Sequence, residues 1–123
     1  MKLYRVFRVA ADGKPQVGHL SCMLGVRPAD SANPNKYFDV PAAQGTNLVL
    51  PGGGGLSVYT DPGAIRLRAA NLFLFVVDAD ALPNELMAVA AGDPHYLIEP
   101  RLSMTLDGYQ AALARTRDLW QRI

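Results

Sequence analysis

The sequence predicts a small α+β fold, and three observations carry that expectation. Short stretches rich in β-branched and aromatic residues recur along the chain, one run (72–77) is continuously apolar, and the carboxy-terminal quarter switches to helical periodicity. The chain has 123 residues, half of them hydrophobic, which suits one core and one domain spanning 1–123.

Residues 3–9 have strand character, and Asp12-Gly13 supplies a turn before a weaker extended segment at 16–21. Residues 27–44, rich in Pro, Asn, Asp and Ala, read mainly as a long connection, a feature that in small domains is often functional or partner-binding. Short strands are expected at 47–50 and 56–60, flanking the four consecutive glycines Gly52 to Gly55. Asp61 then resembles an N-cap with Pro62 at the first helical position, and Gly63 limits the helix that follows to about two turns. The run at 72–77 is expected to form a strand buried on both faces at the centre of the sheet. Leu86, Met87 and Val89 have broadly helical spacing within 83–91, ending at Gly92, and 95–99 returns to strand character. From Thr105 an amphipathic helix is expected, with Leu106, Tyr109, Leu113, Thr116 and Trp120 on one face, packed on the sheet.

Charge and cysteine content narrow the function classes. The formal charge of +1, without long runs of either sign, does not indicate a broad surface for nucleic acid or anionic membrane, although a localised cationic pocket is compatible with it. The single cysteine, Cys22, rules out an internal disulfide and favours a reducing cytosol. The amino terminus lacks the apolar stretch of a secretory signal, and 72–77 is too short to span a bilayer, so a cytoplasmic protein is expected, or one delivered without a cleavable signal.

Candidate chemistry gathers in three separated segments. If Leu56 and Val58 face inward, Ser57 and Tyr59 share the opposite face, placing a hydroxyl beside a ring able to stack on a planar heterocycle. The glycines before them serve either as a connector or where backbone approaches a ligand closely; they match neither a P-loop nor a dinucleotide fingerprint. Arg5 lies among apolar residues, where a guanidinium needs an anionic partner: a ligand phosphate, or an internal acid such as Glu99. His95 and Glu99, four apart on a strand, point to one face about 13 Å from each other and so suit two ends of one ligand. His95 also suits a turn-capping or structural role. No Gly-x-Ser-x-Gly elbow supports a serine hydrolase, and His19 and His95 lack metal-ligand spacing.

In order along the chain, Leu3-Tyr4-Arg5, Gly54-Gly55-Leu56-Ser57-Val58-Tyr59 with Asp61, His95-Tyr96-x-Ile98-x-Pro100, Met104 and Trp120 resemble the small type VI secretion toxins with an ADP-ribosyltransferase-like fold. The resemblance implies a split, curved β-sheet with peripheral helices, NAD as substrate, toxicity in a recipient cytosol, a cognate immunity protein and an unnamed macromolecular acceptor of ADP-ribose. It implies Ser57 and His95 as catalytic residues, with Leu56 where those toxins carry a threonine. Arg5, Gly55, Leu56 and Tyr59 would contact NAD. Glu99, apolar in those toxins, would be the acid that stabilises an oxocarbenium-like transition state, or else a surface substitution. The alternatives are a nucleotide- or protein-binding module acting by occupancy and a metal-independent nuclease using His95. Residues 27–44 are the first candidate for the immunity-protein contact.

Overall fold

The computed structural model describes residues 1–42, 47–66 and 69–123. It is a mixed α+β structure, mostly antiparallel sheet with one α-helix. Its strands are β1 (Lys2–Phe7), β2 (Leu48–Val49), β3 (Leu56–Tyr59), β4 (Phe73–Asp78), β5 (Leu86–Ala90), β6 (His95–Pro100), β7 (Met104–Thr105) and β8 (Gln121–Arg122), with α1 at Leu106–Ala114. Six strands make the main sheet in the order β5-β6-β3-β1-β4-β8, and β2 pairs with β7 alongside it. No helix among the described residues is long and apolar enough to cross a membrane.

Alternation along the strands sorts side chains to two faces. Leu3 and Phe7 of β1, Leu56 and Val58 of β3, Phe75 and Val77 of β4, and Ile98 of β6 enter the main core, closed by Tyr109, Ala112 and Leu113 of α1. On the other face a smaller cluster joins Val6, Cys22 and Ile65 with Tyr4, Tyr59 and Leu74. This explains the unbroken apolar run near 72–77: Phe75 and Val77 are deeply buried, while Leu74 and Val76 are only partly covered. The expected central position is corrected. β4 is next to the edge, covered by the two-residue β8, and the middle of the sheet is β3 and β1.

Four other expectations change. Residues 83–91 hold no helix; Leu86–Ala90 is an edge strand registered on β6 from Leu86↔Pro100 to Ala90↔Tyr96. Leu, Met and Ala favour helices, but hairpin pairing and burial of Leu86 outweigh that local preference. The terminal helix stops at Ala114 because the Thr116 hydroxyl bonds the Leu113 carbonyl at 2.6 Å and the chain turns to add β8 to the sheet. Trp120 still reaches the core, edge-to-face with Phe7 at 4.9 Å, its Nε1 donating to Thr116 Oγ1 at 3.1 Å. The helix expected after Asp61 is a single 3-10 turn, Pro62–Ala64, with Asp61 as its cap. Segment 16–21 carries an isolated bridge, Val17↔Leu24, in place of the weak extended segment, and 27–42 is a connection with one bridge, Pro28↔Val40; Ala43 and Gln44 lie outside the described residues.

Tyr109 ties α1 to the sheet. Fully buried, it accepts from Leu56 N–H at 3.2 Å and donates to the Ile98 carbonyl. Tyr109→Phe leaves both backbone groups buried without that partner and is expected to cost about 2 kcal/mol. Burial pushes the Tyr109 phenol above its ordinary pKa. The folded state therefore keeps a proton that the unfolded chain releases above about pH 10, and stability falls as pH rises through that range. Denaturant titrations at pH 7 and above pH 10 should show Tyr109→Phe less stable at pH 7 but with a shallower alkaline decline. An unchanged alkaline slope would refute the assignment.

Candidate functional site

The alternation of β3 and its register on β6 build the first part of the site. Leu56 and Val58 are buried, which turns Ser57 and Tyr59 to the other face. β6 runs antiparallel with Tyr59 opposite His95 and Ser57 opposite Leu97. Ser57 Oγ and His95 Nε2 are hydrogen-bonded at 2.5 Å, and the His95 ring stacks on Tyr59 at 5.0 Å and 26°. The turn before His95 is anchored, since His95 N–H donates to Gly92 O at 2.8 Å and Thr60 N–H to Pro94 O at 2.9 Å. The hydroxyl, imidazole and phenol side chains thus stand together on two paired strands.

Arg5 joins them from β1. The registered pairing of β1 with β3 is confined to Tyr4↔Tyr59. Two residues beyond that pair, the Ser57 carbonyl accepts from Arg5 Nη1 at 2.9 Å, while Nη2 reaches Met23 O at 3.3 Å. The residue as a whole is partly exposed, yet Nε is buried and has no hydrogen-bond partner among the described residues. Burial, the largest influence, lowers the pKa of the guanidinium; Asp39 pulls in the opposite direction. Arginine stays protonated through such shifts, so Arg5 remains a buried cation.

Arg5, Ser57 and Tyr59 line a cavity of about 290 Å³, with His95 behind Ser57 and Tyr59. Arg5, Arg27 and Arg66 supply three guanidinium groups to its wall, with Ser57, Tyr59 and Cys22 beside them. Cys22 takes φ 62°, uncommon for a residue other than glycine. Arg27 is ion-paired with Asp39 at 3.2 Å, so three guanidinium groups stand against one carboxylate and the excess positive charge suits an oxyanion such as phosphate or carboxylate.

The chain matches no protein-family model, no curated protein and no solved structure.

Of the residues nominated from sequence, the structure brings together Arg5, Ser57, Tyr59 and His95. It places three others differently. Glu99 is buried, and its Oε1 accepts the Gly52 N–H at 2.8 Å, so its carboxylate holds the glycine turn. Leu56 sits in the main core. Gly55 does lie close to backbone, but to this chain's own: a Cβ there would overlap the Ile98 carbonyl oxygen and meet Tyr109 Oη at 3.1 Å. Nor does Arg5 pair with Glu99; its partners are carbonyls. Sequence reasoning did not nominate Arg27, Arg66 or Cys22 for the site, the one available signal being the long connection at 27–44, which begins with Arg27.

A buried guanidinium bonded to backbone carbonyls adds little net stability, because its desolvation offsets those bonds. Arg5→Met is therefore expected to shift stability by no more than about 1 kcal/mol in either direction, since it relieves burial of Nε while giving up two bonds to carbonyls. The same substitution should weaken pyrophosphate binding about 10-fold or more. Denaturation and calorimetry on the one variant check both; a loss of several kcal/mol would mark Arg5 as a structural post.

Proposed function

We propose that this chain is an NAD-dependent ADP-ribosyltransferase of the type VI secretion toxin kind, acting in a recipient cytosol and neutralised by an immunity protein. The observation that carries the reading is the Ser57–His95 hydrogen bond of 2.5 Å beside a cavity lined by three arginines. The cavity's cations suit the diphosphate of a dinucleotide, and the Tyr59 ring offers a face for a planar heterocycle. The limited pairing of β1 with β3 is compatible with the split sheet of an ADP-ribosyltransferase-like fold.

In this mechanism Arg5 anchors phosphate, Tyr59 stacks on nicotinamide, and His95 holds the Ser57 hydroxyl toward the ribose. The glycosidic bond breaks with its electron pair leaving on nicotinamide, and the acceptor nucleophile bonds to the same carbon and gives up a proton. Placing fixed dipoles where positive charge develops is the main means of acceleration. Glu99, committed to Gly52, has no part in it.

The test is NAD consumption and transfer of radiolabel from NAD by purified protein in cell lysate, wild type against Ser57→Ala. Label on a macromolecule that disappears in the folded variant supports transfer. Consumption without label makes the protein an NAD hydrolase, and neither activity moves the reading to inhibition by occupancy.

A further inference from the structure

Two cavities meet at Arg27. The one described above and a neighbouring groove of about 430 Å³ share Ser21 and Arg27 as walls, and the groove continues past Pro28 and Asp30 to Lys36. Small-ligand sites commonly occupy about 300–1,000 Å³. The central cavity alone, at about 290 Å³, falls just short of that range, whereas the cavity and groove taken together lie well inside it.

Arg27 is fixed from behind. Its backbone N–H and Nε both donate to Asp39 Oδ2, at 2.7 and 3.2 Å, and its guanidinium carbon lies 4.3 Å from the centre of the Tyr37 ring. The carboxylate holds one edge of the guanidinium through Nε and, at 3.5 Å, through Nη2, and the aromatic ring holds one face. Nη1 is left outside that ion pair and the guanidinium has a set orientation, which lowers the ordering cost of gripping an oxyanion. In the groove Asp30 supplies a carboxylate, the group that other nucleotide sites use for ribose hydroxyls, and exposed Lys36 a second cation.

Resting on the reading of the site as one for NAD, we infer that the groove takes the second nucleoside half of the dinucleotide, with Arg27 on the diphosphate at the junction. Arg27 is then the residue that selects a dinucleotide over a mononucleotide. Lys36 adds to that preference from the far side.

Calorimetric titration of NAD, ADP-ribose and nicotinamide mononucleotide into wild type, Arg27→Gln and Lys36→Glu tests this. Arg27→Gln should weaken NAD and ADP-ribose about 10- to 100-fold and leave the mononucleotide within about 3-fold. Lys36 is exposed, so Lys36→Glu keeps the fold and should show the same selective pattern with a smaller, about 3- to 10-fold, loss. Equal losses for all three ligands, or none in either variant, overturn the Arg27 assignment while NAD binding by wild type stands. Unchanged NAD affinity with lost label transfer in Lys36→Glu makes the groove an acceptor site and also overturns it. Wild type that binds neither NAD nor ADP-ribose overturns this inference and the proposed function together.

Discussion

His95→Ala is expected to lower nicotinamide release from NAD by about 10²- to 10⁴-fold, the range over which a positioned polar side chain contributes to a chemical step. The imidazole makes two contacts that fix its neighbours: the hydrogen bond to Ser57 Oγ and the stack on Tyr59. Without it, the hydroxyl rotates freely and the phenol ring loses its support. The fold should persist, because Ser57 and His95 are only partly buried and water can satisfy what the substitution frees. A stability loss below about 1 kcal/mol is expected. His95→Gln retains an N–H donor without a titrating ring, so partial recovery there separates positioning from proton transfer. Turnover unchanged in a folded His95→Ala would remove the pair from the chemistry.

Gly55→Ala should be the most damaging small substitution in the glycine run, at about 3 kcal/mol or more. The added carbon would collide with the Ile98 carbonyl oxygen, a backbone atom of a central β6 pair that cannot swing aside, and would press on Tyr109 Oη at 3.1 Å. Gly52→Ala makes the useful contrast. Its Cβ meets nothing within 4 Å, and only the left-handed φ of 82° opposes it, a penalty of about 1–2 kcal/mol. Urea denaturation of both variants measures the difference; equal losses would mean that backbone conformation, and not contact with β6 and α1, decides the run.

The parts of the molecule written in short-range pattern were legible. Alternation of Leu56 and Val58 with Ser57 and Tyr59 names both faces of β3, and a lone arginine among apolar residues at Arg5 signals a cation that must find an anion or carbonyl. What escaped depends on partners far along the chain. Leu86–Ala90 has helix-forming residues and becomes a strand only because β6 is beside it. Glu99 looks like a free acid until Gly52, 47 residues earlier, takes its Oε1. Arg27 acquires meaning from Asp39 and Tyr37, neither at a helical or strand spacing from it.

The connection between β1 and β2 folds on its own backbone hydrogen bonds and is tied to β1 and α1 by side chains. Gln110 of α1 accepts from Val26 N–H at 2.9 Å and donates to Val26 O at 2.7 Å, handling both backbone groups of one residue as a neighbouring strand would. From the sheet, Arg5 Nη2 donates to Met23 O at 3.3 Å. The connection also feeds the core, with Leu24, Val26 and Val40 buried against the sheet residues, so the positions free to be exchanged are its exposed ones, such as Lys36, while β1, β3 and β6 keep Arg5, Ser57, Tyr59 and His95 where they are. Exchange at such rim positions therefore alters what the cavity mouth presents while the centre behind it stays in place.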